Sequence, residues 1–217
     1  MNITAKQMLL YAVSDRAWSG SDEEFLSQVE QAIDSGVTVF QLREKNTDYE
    51  HFKDIALKIK PICKAHGVPL IINDNVKLAK EIDADGVHLG QNDLDIKAAR
   101  EYLGADKIIG VSAHNVKEAQ AAESGGADYL GSGAAFVTST KTDAGAIDHK
   151  VLSDVAHSVR IPVVAIGGIT GGNISRLEGL GLDGVAVVSA IFAAKDIPSA
   201  VNELKAKAER VADSSSK

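Results

Sequence analysis

In the run Gln41-Leu42-Arg43-Glu44-Lys45, an amide, a guanidinium and an ammonium stand at alternate positions. The run continues a strand-like stretch, Val37-Thr38-Val39-Phe40, and side chains alternate across a strand, so Gln41, Arg43 and Lys45 share one side. A planar guanidinium fork beside a point charge suits phosphate or pyrophosphate; the pattern also fits a solvated strand end in which Glu44 forms a salt bridge. Asp74 and Asp93 each follow another apolar run. Paired carboxylates are hard oxygen ligands of the kind Mg2+ takes when it bridges substrate phosphates, whereas a lone Asp before a helix is commonly its cap. Lys141, in Thr138-Ser139-Thr140-Lys141, offers a third cation with hydroxyl neighbours, or an ordinary exposed lysine. Gly167-Gly168 lets a backbone approach a ligand closely, or simply makes a tight turn. His88 lies inside an apolar run and reads as a packed core histidine, while His114 stands beyond another run, at a pocket or a helix start. No cluster has zinc-ligand spacing and no Ser-His-Asp arrangement is supported.

These groups can meet only if the elements carrying them converge. Short β-branched runs alternate with amphipathic helical patterns from end to end. The patterns predict strands at 9–15, 37–43, 69–74, 86–90, 107–112, 128–133, 161–167 and 184–189. Helices are predicted at 22–35, 49–66, 76–82, 95–103, 116–124, 148–157, 173–179 and 196–212. Ser21 with Glu24 reads as a capping box for the first helix, and Thr47 with Glu50 repeats the device for the second. Pro61 falls inside that second helix and is expected to kink or end it. Eight strand-helix units of this size predict a single (β/α)8 barrel, with chemistry at the carboxyl ends of the strands. An open doubly wound sheet would carry a Gly-rich turn after its first strand, where this chain has Ser14-Asp15-Arg16.

Composition sets the remaining bounds. The chain has 217 residues, 45% hydrophobic and 24% charged, enough apolar material for one ordinary core. No Pro-, Ser- or charge-rich linker interrupts it, so one domain over 1–212 is expected, with 213–217 a disordered tail. A net charge of -7 without a basic cluster argues against nucleic acid as a partner. The opening residues lack a secretory pattern and no apolar stretch reaches the roughly 18 residues of a membrane span, so a cytoplasmic protein without membrane partners is expected. The single cysteine, Cys63, lies on an apolar helical stripe and reads as a buried thiol.

Taken in order, the motifs resemble the thiamine-phosphate synthase family. They are Tyr11-Ala12-Val13-Ser14-Asp15, Gln41 to Lys45, Ile71-Ile72-Asn73-Asp74, Gly86-Val87-His88-Leu89-Gly90-Gln91-Asn92-Asp93 and Gly110-Val111-Ser112-Ala113-His114. Thr138 to Lys141, Ile166-Gly167-Gly168-Ile169 and Val188-Ser189-Ala190-Ile191 continue the set. The resemblance implies a (β/α)8 enzyme that joins 4-amino-2-methyl-5-pyrimidinylmethyl diphosphate to 4-methyl-5-(2-phosphoethyl)thiazole, giving thiamine phosphate and pyrophosphate. It implies that Gln41, Leu42, Arg43, Glu44, Lys45 and Asn73 hold the pyrimidine diphosphate, that Lys141 reaches its phosphates and that Ser112 contacts the pyrimidine. Arg43, Lys45 and Lys141 would be the catalytic cations, and Asp74 and Asp93 would bind one Mg2+ per site. Thr138, Ser139, Thr140, Gly168, Val188 and Ser189 would receive the thiazole phosphate. The implied chemistry is dissociative: pyrophosphate leaves, the aminopyrimidine stabilises a carbocation and the thiazole nitrogen attacks. A homo-oligomer is also implied. One departure is that Gly133-Ala134-Ala135-Phe136-Val137-Thr138 lacks the prolines the family commonly carries there, which leaves this loop freer in its dihedrals. A thiazole tautomerase on the same barrel would need neither the aspartate pair nor Arg43 with Lys45; a catalytically idle phosphate-ligand sensor, favoured only by the altered loop before Thr138, would keep the barrel and the Gly168 site.

Overall fold

Short runs rich in Val, Ile, Leu and Ala, flanked by polar turns, become strands covered on both faces, with only Asn73, His88, Ser112 and Ile166 partly open. The computed structural model describes residues 3–45, 47–137 and 147–214. Its strands are β1 (Leu10–Val13), β2 (Val39–Leu42), β3 (Leu70–Asn73) and β4 (Gly86–Leu89). They continue as β5 (Ile108–Ala113), β6 (Tyr129–Gly133), β7 (Val163–Ile166) and β8 (Gly184–Val187). Each pairs in parallel with the next, and β8 returns to β1 with Tyr11 opposite Ala186, so the sheet closes into a barrel. Among the described residues, the helices are α1 (Asp22–Asp34), α2 (Tyr49–Ala65), α3 (Val76–Glu81), α4 (Ile96–Leu103), α5 (Val116–Gly125), α6 (His149–His157), α7 (Ser189–Phe192) and α8 (Ile197–Asp213). No helix among them is long and apolar enough to cross a membrane.

Two apolar tiers follow from alternation along the strands. Phe40, Leu42, Ile72, Val87 and Leu130 point outward and pack with Phe25, Ile55, Ile59 and Leu204 of the helices. Tyr11, Val39, Ile71, Ile108, Tyr129 and Val164 point inward, and Ile3 and Met8 pack in the same interior cluster. This inner tier fills the barrel below the strand ends, so ligands have room only above it.

Several local expectations need correction. Pro61 does not break α2, which runs through it. The carbonyl that loses its amide partner four residues earlier is that of Leu57, which is 47% exposed, so solvent can replace the bond. The cap of α2 is Asp48, whose side chain accepts from the His51 amide at 2.9 Å, displacing the expected Thr47. The α1 box is formed in part: Ser21 Oγ accepts from the Glu24 amide, while the Glu24 carboxylate takes the Gly20 amide. The helix expected at 173–179 is a 3-10 turn, Ile174–Leu177, because it has only one turn of apolar surface to bury before Glu178 turns extended. The short α7 was not foreseen. At the other end, α8 continues to Asp213, and Ser214 Oγ accepts from the Gly179 amide at 2.7 Å. Residues 215–217 of the expected tail lie outside the described residues.

Candidate active site

A cavity opens at the carboxyl ends of the strands, and its wall includes Gln41, Arg43, Lys45, Asn73, Asp74, Ser112, Gly168, Val188 and Ser189. The end of β2 is fixed from β1. Ser14, fully buried just past β1, accepts from the Arg43 amide at 2.9 Å. Alternation then sends Gln41, Arg43 and Lys45 toward the cavity, while Leu42 joins the outer apolar tier. Glu44 turns away as well, and its Oε1 accepts from Arg16 Nε at 2.7 Å. The same guanidinium donates to Asp22 at 2.5 Å and lies 4.4 Å over the Phe25 ring. The one acid of the run is thereby neutralised from outside, and the cations keep their charge for a ligand. Arg43 Nη1 lies 3.9 Å from Asp15, a separation too long for a strong hydrogen bond.

The two aspartates are not helix caps. Asn75 caps α3 and Asp95 caps α4. Asp74 instead takes a left-handed backbone, φ 62°, uncommon for a residue with a Cβ and tolerated best by Asp and Asn. Asp93 is held by the Gly90 amide, which donates to its Oδ2 at 2.6 Å. Although Asp74 keeps an exposed edge, the cavity wall desolvates it and Asp93 shares a hydrogen bond with it, so its carboxyl is pushed up to about 6. Asn73 and Lys45 act in the opposite direction. Two facing carboxylates that must share a proton form the hard-oxygen set that a divalent cation relieves. No group of three or more His, Cys, Asp or Glu side chains gathers among the described residues, so such a cation would complete its shell with water and substrate oxygens.

Below the cations runs a polar file that the sequence did not reveal. Gln41 Nε2 donates to Tyr11 Oη at 2.6 Å, and Tyr11 and Tyr129 hydroxyls are 2.7 Å apart. Tyr129 Oη is 3.0 Å from His88 Nδ1, and His88 Nε2 is 3.0 Å from Ser112 Oγ. Both phenols are buried, and burial raises each above the ordinary tyrosine value, so they stay protonated. Gly110 makes room for this: a Cβ there would fall 2.0 Å from the Tyr129 ring. His88 was expected as a hydrogen-bonded core histidine; it is hydrogen-bonded, but it also forms part of the cavity wall.

On the opposite side, Gly168 has φ 64°, and a Cβ there would meet the Phe136 and Val137 carbonyl oxygens at 2.8 and 2.7 Å. Ser189 opens α7, whose first amides have no carbonyl partners within the helix. His114 is half-exposed at the rim, where its Nδ1 pairs with Glu118 at 2.9 Å. Thr138, Ser139, Thr140 and Lys141 lie outside the described residues. Sequence reasoning gave no site role to Ser14, Asp15, Arg16, Tyr11 or Tyr129; Tyr11, Ser14 and Asp15 were visible as part of a motif, and Ser14 to Arg16 as a strand end lacking a Gly-rich turn.

Residues 10–191 match the model of a family described as thiamine monophosphate synthase. Over 202 residues the chain is 48% identical to a thiamine-phosphate synthase of Methanobrevibacter smithii, covering 91% of this chain and 96% of that one. A thiamine-phosphate synthase of Clostridium acetobutylicum is 48% identical over 188 residues, covering 87% and 89%. Among solved structures, thiamine phosphate pyrophosphorylase from Pyrococcus furiosus superposes with a TM-score of 0.87 at 36% identity, covering 95% of this chain and 98% of that one.

Proposed function

The chain belongs to the thiamine monophosphate synthase family, and from that premise we propose that it condenses 4-amino-2-methyl-5-(diphosphooxymethyl)pyrimidine with 4-methyl-5-(2-phosphoethyl)thiazole, releasing pyrophosphate. The observation that carries this reading is the gathering of Arg43, Lys45 and Asp74 on one cavity wall with Asp93 hydrogen-bonded to Asp74. Arg43 and Lys45 receive the diphosphate and stabilise the charge that builds on it as the carbon–oxygen bond breaks, the electrostatic contribution that dominates such sites. Asp74 and Asp93 hold one Mg2+, which when bound neutralises phosphate charge.

Asn73, Gln41 and Ser112 orient the pyrimidine, whose amino group feeds electrons to the exocyclic carbon once pyrophosphate has departed. Gly168, Val188 and Ser189 seat the thiazole phosphate, with Thr138 to Lys141 completing the site, so that the thiazole nitrogen is held in line for attack. None of these steps requires a strong base or a side-chain nucleophile. The reaction takes place in the cytoplasm on two small phosphate substrates.

The test is an assay with both substrates and Mg2+, following pyrophosphate and thiamine phosphate together. Equal amounts of the two products are expected. Absence of both from folded protein refutes the assignment.

A further inference from the structure

Gln41, Tyr11, Tyr129, His88 and Ser112 come from different strands, yet they form one file of successive hydrogen bonds across the cavity floor. Each phenol has one proton, and a neutral imidazole has one N–H. Tyr11 and Tyr129 are 1% and 0% exposed, so water does not take up their protons. With Gln41 Nε2 donating to Tyr11, the Tyr11 proton goes to Tyr129 and the Tyr129 proton to His88 Nδ1. The imidazole proton then sits on Nε2 and is given to Ser112 Oγ. With the Gln41 amide in this orientation, a proton on Nδ1 would leave the Tyr129 proton without an acceptor, so the file favours the tautomer with Nδ1 bare. With a neutral ring, reversing any one bond requires reversing all of them and turning the Gln41 amide over.

We propose that this file sets the polarity with which the cavity reads a heterocycle, and that His88 is a positioning residue for the condensation. Held with its proton on Nε2, His88 leaves the Ser112 hydroxyl proton free to point at the ligand, while Gln41 Oε1 remains as an acceptor. The two ends are linked: a donor at Ser112 goes with an acceptor at Gln41. Resting on the pyrimidine-binding reading above, the matching ligand has a ring nitrogen toward Ser112 and an exocyclic amino group toward Gln41. A 4-oxo analogue, with a carbonyl and ring N–H in place of the amino group and bare nitrogen, has the opposite pattern and is disfavoured. Specificity for an aminopyrimidine is therefore set partly through Tyr11, Tyr129 and His88, which fix the hydrogen bonds that Gln41 and Ser112 offer.

The first measurement is long-range proton–nitrogen NMR on uniformly labelled full-length protein, with the His88 ring assigned by its loss in His88→Gln. A bare Nδ1 and a protonated Nε2 are expected; a proton on Nδ1 overturns the proposal, whether or not the protein is active. The second uses Tyr129→Phe, which keeps the ring and cuts the file. Its kcat/KM for the aminopyrimidine diphosphate should fall by roughly tenfold, about one buried hydrogen bond, with the KM for thiazole phosphate unchanged. Its preference over the 4-oxo diphosphate should shrink as well. His88→Gln, which keeps an amide donor within reach of Ser112, should retain more of that preference than His88→Leu. Unaltered preference in a Tyr129→Phe protein of normal melting temperature overturns the proposal. Should that variant fail to fold, the tautomer measurement alone decides. A wild-type protein that makes no thiamine phosphate would instead refute the functional reading, and the tautomer result would stand apart from it.

Discussion

Replacing Arg43 by alanine takes away the planar fork that faces the cavity while leaving its backbone, which Ser14 holds through the amide. On the proposed reading, two charge-assisted hydrogen bonds to a diphosphate would be lost. Water and Lys45 recover part of them, leaving a deficit of about 3 to 4 kcal/mol in transition-state binding, or roughly 100- to 1,000-fold in kcat/KM. Asp15, 3.9 Å from the guanidinium in the wild type, then faces the incoming polyanion without a counter-charge and adds to the loss. Stability should scarcely change, since so long an ion pair near the surface contributes less than about 1 kcal/mol. Arg43→Lys restores charge without the fork and should fall between the two. The assay is steady-state kinetics with the diphosphate varied, alongside thermal unfolding of each variant. Activity of Arg43→Ala within a few fold of wild type would place the leaving group elsewhere and refute the reasoning.

Asp74 supplies a pH signature. Its folded value of about 6 lies above the ordinary 3.8, so the metal-free fold binds this proton more tightly than the unfolded chain does. Relative to Asp74→Asn, wild type should gain stability as pH falls from above 6 toward 3.8, and above 6 Mg2+ should raise its melting temperature but not that of the variant. A pH-independent difference between the two would contradict the shared proton. Gly168→Ala should distort the loop at Phe136 and Val137 and raise the KM for thiazole phosphate, with less effect on pyrimidine diphosphate binding; equal kinetics would show that this turn does not seat the phosphate. Cys63 is 1% exposed and burial pushes its thiol up to about 12, so it should resist alkylation in the native protein and react on unfolding, as mass spectrometry can read. Rapid native labelling would show that α2 opens.

Strand positions were legible because each strand is a short, mostly apolar run covered on both faces, and seven of the eight observed strands fall within the expected ranges, β5 running one residue past its own to Ala113. The cluster at the mouth followed from reading what stands at the strand ends, since a closed barrel brings Gln41, Arg43, Asp74 and Ser112 to one rim. What stayed hidden was of two kinds. Tyr11 and Tyr129 look like ordinary strand aromatics, and nothing in a linear pattern says that residues 118 positions apart will share a hydrogen bond. Pro61 and Thr47 misled for a local reason: the helix tolerates a lost bond on its wet face, and Asp48 stands next to Thr47 and takes the cap.

The pairing of β1 with β8 carries a consequence for how the chain must be made. Until Val187 has been synthesised, Leu10–Val13 has bonded neighbours on one side alone, and Val163–Ile166 is in the same position. A nascent or truncated polypeptide would therefore show two sticky flanks at once, each able to recruit stray extended segments. Premature termination before Val187, the end of β8, should thus yield aggregates rather than a smaller working enzyme, because the ring has no partially finished form that satisfies its own backbone.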